Sequence, residues 1–215
     1  MASKIIEIGF LIFPDVTQLD ATGPAQILSR VPGARIHMVW KAKGPVPTDA
    51  GFSINANADF QDCPQLDVIC VPGGPGQRAL MTDASVLSFL SRQGEKARYI
   101  TSVCSGSLLL GAAGLMKGYQ AGAHWAFRDL LKNFGAEPVA ERIVVDRNRI
   151  TGGGVTAGID FAFRLAAELA GEETAKEIQL FVEYDPKPPF DAGTPEAAGP
   201  ELTEKVRRSF ETAKD

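Results

Sequence analysis

The chain has 215 residues, 45% of them hydrophobic, which is enough for a full core and a length that suits one large domain or two small ones. Lys plus Arg number 22 against 26 Asp plus Glu, a net charge of −4, so the overall field does not draw nucleic acid and only a local basic patch would. No basic start leads into an apolar core at Met1–Phe10 and no apolar run is long enough to cross a bilayer, so neither a signal peptide nor a membrane partner is expected.

The first predicted strand is Ile5–Phe13, β-branched and aromatic and stopped by Pro14. In "DATGPAQIL" Thr22 is the expected N-cap and Pro24 falls in the first helical turn, giving a helix to about Val31. Ala34–Lys41 follows as a strand, and the turn residues of "GPVPTDAGFSINAN" predict a small β-hairpin. Leu66–Pro72 is almost wholly apolar, the composition of a strand covered on both faces. After the "PGGPG" break come a helix over Ala84–Lys96, a buried strand over Ala97–Val103 and a helix over Ser105–Leu115. Glu141–Ile150 predicts a hairpin turning at Asp146–Asn148. "TGGGVTAG" then leads into a helix over Ile159–Leu169 that Gly171 stops, and Glu172–Tyr184 predicts another. The Pro-rich segment 185–200 is expected to be extended on the surface, and Glu201–Ala213 to form a final charged helix. Residues 1–215 are expected to form a single domain, with no DNA-binding domain after it.

Strands alternating with helices imply a mostly parallel α/β sheet with right-handed crossovers, helices on both faces and small β-hairpin additions. Chemistry in such sheets lies at the carboxyl ends of the strands. Pro14, the pair Gly73 and Gly74, and Cys104 each follow such an end, so three loops meet at one edge.

Three cysteines, Cys63, Cys70 and Cys104, show no paired spacing, which implies a reducing, cytoplasmic setting. With only His37 and His124 beside them no zinc-ligand pattern forms, and neither a metal nor another cofactor is expected. Cys104 sits where a strand gives way to a helix, and Gly106 and Ser107 leave room for a sharp bend there, although G-x-S-x-G is absent. The N–H groups and partial positive charge of a helix start lower a thiol's pKa and favour thiolate. Backbone N–H groups of the corner, with those of Gly73 and Gly74, are placed to hold a negative intermediate. The plainer reading is that free cysteine is a small buried hydrophobe, which is the assignment for Cys70 and Cys63. For Cys104, position alone leaves both readings open.

A thiolate nucleophile needs a proton carrier. The loop after the first strand offers Asp15 and Asp20, with helix capping as the competing role for Asp20. His124, next to Trp125, reads as a hydrogen-bonded structural group, and no histidine adjoins Cys104. Gly152, Gly154 and Ala157 fit G-x-G-x-x-A, yet the acid-tipped strand of a dinucleotide site is missing, so these glycines are read as allowing close backbone approach beneath the elbow. "GGPG" lacks the Lys-Ser/Thr that a P-loop needs.

The segments "LDATGP" (19–24), "VPGGPG" (71–76), "CSGSLLLGAAGLMKGY" (104–119), "HWAFRDLL" (124–131), "DRNRITGGGVTAGIDFA" (146–162) and "PPFDAGTPEAAGP" (188–200) carry a resemblance to the ThiJ/PfpI superfamily. Within it the chain is most similar to the members that hydrate isonitriles. The resemblance implies a flavodoxin-like three-layer sandwich of the class I glutamine amidotransferase-like type. It implies that Cys104 is the nucleophile and Asp20 the acidic partner near the sulfur. Ser105 stands where those members carry threonine, which keeps a hydroxyl and removes a methyl. Ile159 is implied to line the substrate pocket, while His124 and Trp125 are candidates, on their residue types alone, to stand behind the reacting groups. The implied partners are a small-molecule isonitrile and a second copy of the chain in a homodimer. A glyoxalase-like or redox-sensing protein using the same cysteine is the alternative.

Overall fold

The computed structural model describes residues 5–212, which fall into two compact units, one ending at Val182 and the other beginning at Glu183. In the first unit β1 (Ile6–Leu11) leads into α1 (Gln18–Leu28), β2 (Ala34–Trp40), the hairpin of β3 (Gly44–Pro47) and β4 (Ser53–Ala56), the short β5 (Ala58–Asp59) and β6 (Val68–Val71). Next come α2 (Gln77–Leu80), α3 (Ala84–Gly94), β7 (Tyr99–Val103), α4 (Gly106–Ala112) and β8 (Gln120–Ala121). A 3-10 helix at Arg128–Phe134, β9 (Glu137–Pro138), the hairpin of β10 (Ile143–Asp146) and β11 (Arg149–Gly152), α5 (Ala157–Ala170) and α6 (Glu172–Phe181) complete it. The second unit holds α7 (Pro195–Ala198) and α8 (Pro200–Thr212).

Among the described residues the main sheet has seven strands in the order β10-β11-β7-β6-β1-β2-β5. Only the β10–β11 pair is antiparallel within it. Period-two alternation sends side chains to two separate cores. Ile6, Ile8 and Phe10 of β1 and Val68 and Cys70 of β6 face the helices α1, α5 and α6, where Leu28, Phe161, Leu165 and Ile178 pack. Ile69 and Val71 of β6 and Ile100 of β7 face the opposite way, onto Phe89 and Leu90 of α3 and Leu108–Leu110 of α4. The sheet is therefore covered on both faces, which is why β6 is apolar without a break and why Thr101 and Ser102 of β7 are buried.

Two expectations need correction. The first helix begins at Gln18, not at Thr22. Thr22 lies mid-helix, its hydroxyl donating back to the Gln18 carbonyl (3.0 Å) and to Gln18 Oε1 (2.7 Å). Pro24 lies inside the helix, where its missing N–H leaves the Asp20 carbonyl without the usual i+4 donor. Tertiary contacts of the preceding loop set this earlier start: Thr17 N–H donates to the Gly73 carbonyl (3.0 Å) and Val16 pairs with Thr48. The second correction is that the Pro-rich segment is not wholly extended. Thr194 accepts from the Ala197 N–H and caps the single turn α7. Ala213, the expected end of the last helix, lies outside the described residues.

Candidate active site

The loops after β1, β6 and β7 converge at the carboxyl edge of three neighbouring strands. Cys104 follows β7 with φ 59°, a left-handed conformation that costs a non-glycine residue about 1–2 kcal/mol. Main-chain bonds hold it there. Its N–H donates to the carbonyls of Gly152 (3.2 Å) and Gly153 (2.8 Å), and its own carbonyl accepts from the His124 N–H (3.3 Å). Gly106 starts α4 so close to β6 that a Cβ would stand 2.0 Å from the Val71 carbonyl oxygen. A Cβ at Gly73 would stand 2.7 Å from both the N and the Oγ of Ser105. The elbow and the glycine loop thus meet backbone to backbone, and the two glycines are what permits it.

Asp20, in the first turn of α1, is 1% exposed. Its Oδ2 accepts from the Gly73 N–H at 2.8 Å, while its Oδ1 is buried with no hydrogen-bond partner. Burial, the largest influence, pushes the carboxyl up to about 7 against the pull of the Gly73 N–H. The charge of Asp49 adds to the rise, and the Cys104 thiol acts in the opposite sense. The Cys104 thiol is itself pushed above its ordinary value, first by burial and then by the charge of Asp20, with the Ser105 N–H and hydroxyl pulling the other way. The expected depression of the thiol by the α4 start is therefore overturned. A short helix end does not offset apolar burial beside a carboxyl. Thiol and carboxyl act on each other: the charge of Asp20 raises Cys104, and the Cys104 thiol lowers Asp20.

The other predicted residues divide. The Ser105 hydroxyl accepts from the Gly74 N–H at 3.3 Å and stands close enough to the Cys104 thiol to pull its pKa down. The amides of Gly73 and Gly74 are therefore engaged with Asp20 and Ser105, and are not free to hold an oxyanion as the sequence led us to expect. Ile159 stands in the first turn of α5, packed on α1 over Gly23, and belongs to the same apolar cluster as Cys104. His124 reaches the elbow through its backbone. Its ring, held below its ordinary pKa by burial, accepts at Nδ1 from the Ala126 N–H (3.3 Å) and lies against Trp125 and Phe127. Beneath the bend, Ser107 bonds Ser102 (2.7 Å) and donates to the Gly122 carbonyl (2.6 Å). Cys70 is buried within β6 and pushed up to about 12 by burial.

Sequence reasoning missed Asp49. Its only signal was a turn residue in "TDAG", which says nothing of a partner 32 positions away. Two surface cavities, of about 560 Å³ beside Tyr119 and about 410 Å³ beside Phe181, are lined by neither Cys104 nor Asp20. Among the described residues no group of three or more His, Cys, Asp or Glu is placed to hold a metal ion, and no helix is long and apolar enough to cross a membrane.

A cysteine at positive φ between a parallel strand and a helix, beside a buried carboxyl from the first turn of α1, defines a cysteine-centred flavodoxin-like α/β protein. Residues 7–168 match the DJ-1/PfpI family, and the chain belongs to that family. It is 52% identical over 203 residues to the isonitrile hydratase of Pseudomonas putida, covering 94% of this chain and 89% of that protein. A ThiJ/PfpI family protein from Pseudomonas syringae superposes with a TM-score of 0.91 at 46% identity, over 97% of this chain and 86% of that one. DJ-1beta of Drosophila melanogaster shares the fold, with a TM-score of 0.77 at 22% identity over 85% of this chain and 100% of its own.

Proposed function

We propose that the chain is an isonitrile hydratase, converting R–N≡C and water to the N-substituted formamide. The observation that carries this reading is the arrangement itself: Cys104 at positive φ on the elbow, with the buried Asp20 carboxyl held beside it by the Gly73 N–H. The 52% identity to the P. putida enzyme supports it.

In the proposed sequence the Cys104 sulfur attacks the terminal isonitrile carbon as its proton passes to Asp20. Asp20 then hands that proton to the same carbon, giving the thioimidate R–N=CH–S–Cys. One hard addition becomes two easier ones. Water adds to the C=N bond with Asp20 taking and returning a proton, and the tetrahedral adduct R–NH–CH(OH)–S–Cys collapses to R–NH–CHO and the free thiol. A group near neutral pKa suits both directions of transfer, and a placed acid–base contributes about a hundred- to ten-thousand-fold. The Ser105 hydroxyl steadies the sulfur as it gains and loses charge. An uncharged substrate matches apolar surroundings such as Ile159 and Val155.

A homodimer and a cytoplasmic setting belong to the same reading. The exposed Leu180 and Phe181 on α6 are in keeping with an assembly, and sedimentation tests it. The activity test mixes purified protein with an aryl isonitrile and follows formamide. Turnover by the wild type and none by Cys104→Ala is expected; equal rates, or none for either protein, would sink the reading.

A further inference from the structure

The start of α1 is tied to the β3–β4 turn by a contact the proposed reaction does not use. Thr17 occupies the N-cap position of α1, yet its hydroxyl makes no capping bond. It donates instead to Asp49 Oδ2 at 2.6 Å. A threonine at that position usually lends its oxygen to the free N–H groups of the first turn, so the hydroxyl has been drawn off to the hairpin. The two segments are stitched at other points as well: Asp49 N–H donates to the Val16 carbonyl (3.1 Å) and Asp15 N–H to the Pro47 carbonyl (3.0 Å). From Thr17 the bonds continue into the site. Its N–H donates to the Gly73 carbonyl (3.0 Å), its carbonyl accepts from the Asp20 N–H (3.0 Å), and Gly73 N–H closes the ring on Asp20 Oδ2 (2.8 Å).

We propose that Asp49 is a positioning residue for Asp20: hooked to the Thr17 hydroxyl, it fixes the first turn of α1, and with it the buried carboxyl, on the Gly73 loop. Its bearing on turnover rests on the hydration reading; its bearing on Asp20 does not. The groups that act on Asp20 are Asp49 from the turn and the Cys104 thiol from the elbow. Asp15, in the loop before the cap, is exposed, and Asp160 on the packed helix α5 is held by Arg142. A negative Asp49 disfavours a second negative charge at Asp20 and so keeps its proton on. Asp49 is exposed, so its influence is open to screening by salt.

The test is the pH dependence of Cys104 alkylation by iodoacetamide in the full chain, since ionisation of Asp20 changes the reactivity of the neighbouring thiol. The wild type is expected to show an inflection near neutral pH that Asp20→Asn lacks. Asp49→Asn keeps an oxygen to accept from Thr17 and removes the charge, and moves the inflection to lower pH by about 0.2–0.7, a roughly two- to fivefold change in acidity. Asp49→Glu leaves it in place, and about 1 M salt moves the wild type towards Asp49→Asn. An inflection unmoved in Asp49→Asn, moved as far in Asp49→Glu, or missing from the wild type overturns the proposal. Failure of isonitrile turnover with the alkylation shift intact sinks the hydration reading alone.

Discussion

Replacing Asp20 with Asn tests whether the buried carboxyl is held out of its ordinary ionisation. The folded chain binds this proton with a pKa of about 7, against an ordinary value of 3.8. The sign follows directly. Between those two values the folded state holds more proton than the unfolded one, so stability falls as pH rises from about 4 to about 7 and levels off above. The gap of about 3 pH units corresponds to about 4 kcal/mol at the alkaline end. Between pH 5 and 8.5 the part still to be lost is roughly 2.5 kcal/mol. Asparagine has nearly the same shape and keeps an oxygen for the Gly73 N–H, but it does not titrate. Urea unfolding of both proteins across that range gives the difference directly. Asp20→Asn gains on the wild type by roughly 2.5 kcal/mol as pH rises, while formamide production falls by about a hundredfold or more. A stability difference that is flat with pH, or that favours the wild type at high pH, would refute the placement of a buried, proton-holding carboxyl at this position.

Gly106→Ala forces a Cβ to within 2.0 Å of the Val71 carbonyl oxygen, so it costs about 3 kcal/mol or more in urea unfolding; a loss below about 1 kcal/mol means the α4 start is not pressed on β6 as described. At Cys104 the positive φ favours glycine, so Cys104→Gly is more stable than Cys104→Ala by about 0.5–1 kcal/mol in the same assay, even after the greater freedom of unfolded glycine. Equal melting of the two would show that the elbow is not strained.

The strands and the elbow were legible because their signals are local. Val68–Val71 is apolar on both faces, and the thiol stands where the strand ending at Val103 gives way to a helix. The start of α1 was not legible. "DATGP" carries strong cap and first-turn residues, but Thr17, with its carbonyl on the Asp20 N–H and its N–H on Gly73, already begins the helix. That decision is made by a loop more than fifty residues away, which no window of sequence contains. The ionisation of the thiol failed in the same way. Helix position can be read from the chain, whereas burial by strands from distant segments cannot, and here burial prevails. The glycines at 73 and 74 were placed correctly at the strand edge, yet which acceptor each amide serves depends on where Asp20 and Ser105 arrive.

The frame around Cys104 is made almost wholly of main-chain atoms: its N–H on the Gly152 and Gly153 carbonyls, Thr17 N–H on the Gly73 carbonyl, and Gly106 against Val71. Such a frame is indifferent to most side chains it carries, because peptide groups are the same at every position. A change of side chain at 104 thus leaves the frame standing, so long as the few glycines that admit close approach stay in place. The architecture is inherited through what those positions lack, and the catalysis through what their neighbours hold.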